Sequence, residues 1–104
     1  MIQYTTKERG SDSLEVLLKG DLDIDGTEVI EEELMPLLLG LRSAKINFEN
    51  VPFVDSSGMG LLMKLVNTLK EHDITVTVSE VREDVYEVFE LLQIPEIIGK
   101  DVFV

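Results

Sequence analysis

Val54-Asp55-Ser56-Ser57-Gly58-Met59-Gly60 marks an abrupt change of pattern. Before it, Ala44, Ile46 and Phe48 alternate with Lys45, Asn47 and Glu49, and Val51, Phe53 and Val54 extend the apolar run around Pro52. Alternation with period two is the mark of a strand. After it, Met59, Leu62, Leu65, Val66 and Leu69 fall at the spacing of one buried helical face, closed by Lys70-Glu71-His72-Asp73. The heptapeptide therefore joins the carboxyl end of a strand to the N-terminus of a helix, the edge at which open α/β sheets place ligands.

Working outward, Ile74, Val76 and Val78 predict a further strand, and Val85, Val88, Phe89 and Leu92 a further helix that Pro95 is expected to stop. Ile97, Ile98 and Val102-Phe103-Val104 are left to a short last strand or a docking tail. Towards the N-terminus, Ile2, Tyr4 and Thr6 alternate, and Leu14, Val16 and Leu18 resume the pattern after the turn-like Arg9-Gly10-Ser11-Asp12-Ser13, which predicts a β-hairpin. Gly20-Asp21-Leu22-Asp23 breaks the alternation, and the Asp25-Gly26-Thr27 cluster precedes a helix whose buried face is Ile30, Leu34, Leu37, Leu38 and Leu41. Pro36 lies inside that helix and predicts a kink or a break. Strand, strand, helix, strand, helix, strand, helix and tail make an α/β sandwich with a mixed β-sheet packed with helices, because a strand-helix-strand unit in one sheet lays its strands parallel. One domain over 1–104 accounts for the whole chain; no repeat or linker-like tract divides it.

Charge narrows the function. Nine Lys and Arg against twenty-one Asp and Glu give a net charge of -12, which repels a phosphate backbone and an anionic membrane surface alike. Neither nucleic acid nor membrane is expected as a partner, and the expected location is the cytoplasm. With no cysteine, the chain has no disulfide, thiolate nucleophile or thiolate zinc site.

The strand-helix junction is the one place where chemistry is plausible from residue types. Free N–H groups and the positive end of a helix dipole favour an anion there, and Ser56 and Ser57 offer hydroxyls for covalent attachment of phosphate. The same residues have a purely structural reading, since Asp and Ser are preferred N-caps and Gly58 and Gly60 permit close helix packing. A catalytic Ser-His pair is not available: His72, the only histidine, falls at the far end of the helix, about 20 Å from Ser56. Lys64 lacks the company of a phosphate-binding loop, and Gly58-x-Gly60 lacks the third glycine of a dinucleotide fingerprint, Met63 standing there. Asp21, Asp23, Asp25, Gly26 and Glu32 match positions one, three, five, six and twelve of a calcium loop, but Ile24 and the approach from a strand argue against that assignment.

Val54-Asp55-Ser56-Ser57-Gly58-Met59-Gly60, together with Gly20-Asp21-Leu22-Asp23 after the second strand, resembles the STAS family, the domain of anti-sigma-factor antagonists and of sulfate-transporter tails. The element order agrees from end to end. Two departures stand out: Pro36 in a helix that is usually continuous, and Leu92-Gln93-Ile94 where the family has Ser-Gly-Leu. The resemblance implies a STAS-like fold and, in the antagonist branch, phosphorylation of the serine that follows the aspartate, here Ser56. It further implies a partner that is an anti-sigma factor with serine kinase activity using ATP, no catalysis by the chain itself and no cofactor. The expected contact surface is Asp55, Ser56, Ser57, Gly58, Met59 and Gly60 with Asp21 and Asp23 beside them. The alternative is a STAS module that binds a small ligand or nucleotide at the same edge, or assists a transporter.

Overall fold

The computed structural model describes residues Met1–Val104. The N-terminal alternation forms an antiparallel hairpin, β1 (Gln3–Gly10) with β2 (Ser13–Lys19), in which Tyr4 faces Leu18 and Thr6 faces Val16. β3 (Ser43–Asn50) and β4 (Thr75–Ser79) then add in parallel, giving the order β1-β2-β3-β4 and the expected mixed sheet. The register aligns Val16, Ile46 and Val78 in one row, all buried, and this apolar phase meets the helices. Phe48 of β3 packs edge-on against Phe89, ring centroids 6.1 Å apart, and Phe103 meets Phe89 at 5.5 Å.

The first helical crossover departs from the expected form. A 3-10 turn (Ile24–Gly26) leads into a π-helical stretch (Val29–Leu34) and then α1 (Met35–Leu38), so the path runs through Pro36 without breaking. The irregularity lies upstream, where the Met35 N–H reaches back five residues to the Ile30 carbonyl. The wider turn absorbs the mismatch that a residue without an N–H imposes. It also shifts the phase of the buried face. Ile30, Leu34 and Leu38 are buried as expected, but Met35 takes a core position, Leu37 turns out to solvent and Leu41 is only half-buried.

β3 ends at Asn50, earlier than the apolar run to Val54 suggests, and Val54 makes an isolated parallel bridge to Leu22. α2 (Ser56–Glu71) packs Met59, Leu62, Leu65, Val66 and Leu69 into the core. α3 (Glu83–Leu91) stops before Pro95 is reached: Gln93 adopts the left-handed conformation (φ 60°, ψ 30°), and Pro95 falls in the first turn of α4 (Ile94–Ile98), where its missing N–H has no intrahelical role. The tail docks as a single bridge, Phe103 beside Val78 with the Val104 N–H donating to the Val78 carbonyl at 3.0 Å.

The polar phase of the sheet holds a network that alternation alone hides. Glu15 is buried on β2, its Oε2 accepting from Asn47 Nδ2 at 2.9 Å and its Oε1 3.2 Å from Arg9. The Asn47 hydrogen bond, helped by Arg9, Lys45 and Lys7, holds the Glu15 carboxyl below its ordinary value of 4.5 against the opposing effect of burial.

Candidate functional site

Asp55 opens α2 with extended backbone (φ −96°, ψ −176°) and caps it, Oδ1 accepting from the Gly58 N–H at 2.8 Å. Its carbonyl takes the first helical bond, from Met59 at 2.9 Å. Ser56 and Ser57 are then the first two helical residues, whose N–H groups have no carbonyl one turn back within the helix, and no other acceptor takes them. Ser56 is exposed and Ser57 half-buried. Asp55 thus does the structural work of a cap while the Ser56 hydroxyl is left free for chemistry.

The two glycines differ in kind. At Gly58 a Cβ would run into the carbonyl of Leu22 and lie 3.0 Å from Val54 Cγ1, so only glycine lets the helix approach this closely. At Gly60 the corresponding space is open and the residue is exposed, so no packing requirement explains it.

That close approach ties the second turn to the site. The Gly20 N–H donates to the Asn50 carbonyl (3.0 Å), Leu22 to Phe53 (3.0 Å), and Asp55 back to Leu22 (3.3 Å). Gly20 takes φ +108°, a value that favours glycine. Asp21 is exposed and Asp23 half-buried, the latter capping the 3-10 turn by accepting from the Asp25 N–H at 3.0 Å. The Leu22 hydrogen bonds and its bridge to Val54 thus bring the backbone of the Asp21–Asp23 turn beside Asp55 at the start of α2, and Ile24 and Phe53, next to these segments in the chain, are exposed. Gly60 sits one turn along α2 on the same exposed surface, while Gly58 and Met59 face inward. Ile24 and Phe53 escaped the sequence reading, the first as a break in a calcium-like pattern and the second as part of a buried strand.

His72 lies at the other end of α2, its Nδ1 2.9 Å from the Thr68 carbonyl, about 24 Å from Ser56 along a 16-residue helix. Asp21, Asp23, Asp25 and Glu32 do not converge on a common point: no three acidic or histidine side chains are grouped to hold a metal. A concavity of about 690 Å³ is lined by Ile2, Tyr4, Leu18 and Val29 among others and does not include Ser56 or its neighbours. No helix is long and apolar enough to cross a membrane.

The STAS domain model matches residues 3–103, nearly the whole chain. The chain belongs to the STAS family. Among relatives of this STAS protein is the anti-sigma-B factor antagonist of Staphylococcus aureus strain NCTC 8325 / PS 47, 31% identical over 91 residues that cover 86% of this chain and 82% of the relative. The solved anti-sigma factor antagonist SpoIIAA, in its unphosphorylated form, shares the fold with a TM-score of 0.67 at 21% identity, over 86% of this chain and 83% of that one. A sulfate transporter family protein from Wolinella succinogenes also shares it, with a TM-score of 0.80 at 13% identity, over 93% and 80% of the two chains. The mixed four-stranded sheet with its helices is thus the STAS fold, as the resemblance implied.

Proposed function

We propose that this STAS protein is an anti-sigma factor antagonist, which binds an anti-sigma factor through the rim formed by Asp55, Ser56, Ser57 and Gly60 with Asp21 and Asp23, the buried Gly58 and Met59 of the expected surface being left out of the contact. Binding ends when Ser56 is phosphorylated by the partner's own serine kinase activity. The observation that carries the reading is the division of labour at the start of α2: Asp55 holds the cap, so the exposed Ser56 hydroxyl is free of any structural duty. The curated relatives named as antagonists support the role, and the acidic rim suits a basic partner surface. In the modification step, the Ser56 oxygen attacks the γ-phosphorus of ATP, ADP leaves, and the hydroxyl proton passes to a base supplied by the kinase. The chain is substrate and ligand in this scheme, and no catalytic step is assigned to it.

Phosphorylation adds about -1.5 to -2 at a surface that fits a neutral hydroxyl. Buried against a partner without a matching cation, such a charge loses hydration at a cost of several kcal/mol, and about 3 kcal/mol suffices for more than a hundredfold loss of affinity. Incubation with an anti-sigma kinase and ATP, followed by intact mass, should add one phosphate, and Ser56→Ala should abolish the addition. Titration calorimetry should show Ser56→Asp binding at least a hundredfold more weakly than wild type, with a smaller effect for Ser57→Asp. Unchanged affinity for Ser56→Asp, with Ser56→Ala still accepting phosphate, would remove Ser56 from the mechanism.

A further inference from the structure

A helix seats on a core with an apolar arc of about 100°, and successive residues advance by about 100° around the axis. In α3, Val85 and Phe89 are buried along one narrow seam. Leu92, Val88 and Leu91 continue the apolar surface outward on one side of that seam, to a total arc of roughly 160° on this spacing. The continuation is not covered by the chain: Val88 is 39% exposed, Leu92 46% and Leu91 81%. Across the left-handed corner at Gln93, Ile97 of α4 is 57% exposed. Several exposed apolar side chains on two adjoining helices are more than the single scattered ones usual on a monomer.

Charge identifies the partner. Residues 80–104 contain seven carboxylates and two cations. Of the cations, Arg82 is turned away, its Nε donating to the Glu49 carbonyl at 3.1 Å, and Lys100, 3.9 Å from Glu96, offsets one carboxylate beside Ile97 and leaves the others in excess. Glu87 and Asp84 lie one and two turns before Leu91 and flank it. An acid-rimmed apolar strip rejects a second copy of itself, because a two-fold contact sets carboxylate against carboxylate. It rejects an anionic bilayer for the same reason.

We infer that the α3–α4 corner is a docking face for a basic amphipathic helix of another protein, with apolar residues at helical spacing over Val88, Leu91, Leu92 and Ile97 and Lys or Arg against Asp84 and Glu87. The face is remote from Ser56. Lys70, in the last turn of α2, donates to the Ile98 carbonyl at 2.6 Å, which sets the corner at the end of α2 opposite the phosphorylation site. A ligand here leaves the Ser56 rim open, so the docking face stands independently of the antagonist reading.

The test is a nuclear magnetic resonance titration of the ¹⁵N-labelled protein with an 18-residue Leu/Lys peptide patterned as an amphipathic helix, and with its Leu/Glu counterpart. The expected result is saturable shifts at Val88, Leu91, Leu92 and Ile97 with the Leu/Lys peptide only. Leu91→Gln and, on the other helix, Ile97→Gln should each weaken binding at least tenfold, both being exposed positions whose replacement leaves the fold intact. Absence of shifts at the corner, equal binding of the Leu/Glu peptide, or wild-type affinity in both variants overturns the inference. Sedimentation showing a dimer that Leu91→Gln dissolves would assign the face to a second copy and overturn it too.

Discussion

Alanine placed at Gly58 and, separately, at Gly60 should move stability in opposite directions, although the two residues are two positions apart in one helix. At Gly60 a Cβ meets nothing within 4 Å, so the change trades an exposed helical glycine for the best helix former, a gain of about 0.5–1 kcal/mol. At Gly58 the same propensity gain is overwhelmed, because the new Cβ occupies the place of the Leu22 carbonyl and presses on Val54. Forcing atoms into a packed site costs about 1–3 kcal/mol, and the Asp55 to Leu22 hydrogen bond that must yield adds about 1 kcal/mol. The net loss is about 2–3 kcal/mol, and the gap between the variants about 3 kcal/mol. In a domain of this size 1 kcal/mol moves Tm by about 4–8 °C, so Gly60→Ala should melt a few degrees above wild type and Gly58→Ala at least 8 °C below it. Urea denaturation of the three proteins, with equal slopes to certify a common two-state transition, separates the arms. Gly58→Ala as stable as wild type would refute the close approach of α2 to the Gly20–Asp23 turn, and with it the placement of Asp21 and Asp23 beside Ser56.

Removing the Asn47 amide should raise the Glu15 carboxyl, since that hydrogen bond is the largest influence holding it down. An ionised Glu15 with a lowered folded value contributes stability that is present above about pH 4.5 and lost as pH falls through the folded value, so Asn47→Ala should flatten the acid limb of the stability profile; carboxyl ¹³C titration of both proteins checks it, and an unshifted Glu15 curve would contradict it. Gln93→Gly should stabilise by about 1 kcal/mol, because a residue with a Cβ holds the left-handed corner between α3 and α4 at a cost that glycine does not bear. Thermal unfolding reads that gain, and a loss would mean that the Gln93 side chain makes a contact worth more than the strain.

The hairpin, the two parallel strands and α2 are legible because each is a sustained period of apolar residues bounded by turn chemistry, from Tyr4 and Leu18 to Met59 and Leu69. Where one residue resets the phase, periodicity misleads. The π-helical stretch before Pro36 sends Leu37 outward and Met35 inward, an outcome that depends on how the backbone absorbs a missing donor rather than on hydrophobicity. Glu15 and Asn47 lie on the polar phase of their strands, where alternation assigns them to solvent, yet they are buried because each satisfies the other. The division between Asp55 as the cap and Ser56 as an exposed residue is visible only in the structure, whereas the strand-helix junction with its two serines stands out from residue types alone. The contrast between Gly58 and Gly60 does not, because it arises from a carbonyl that belongs to a turn more than thirty residues away.

The geometry at the start of α2 also bears on how a phosphate there would act. A phosphate on Ser56 would stand beside the Asp55 carboxylate, and a charge of about -1.5 to -2 set about 6 Å from a unit negative charge in water is repelled by about 1–1.4 kcal/mol. Against this, the open N–H groups of Ser56 and Ser57 and the helix dipole favour an anion by about 0.3–1 kcal/mol. The two contributions are of similar size and opposite sign, and salt screens both. Asp55 keeps its bond to Gly58 because that acceptor is already in place, so the cap is not displaced. Within the chain, then, there is no large free energy with which a phosphate could remodel the fold. Under the proposed function, a switch at Ser56 is therefore read by the surface that covers it rather than by a rearrangement of the chain.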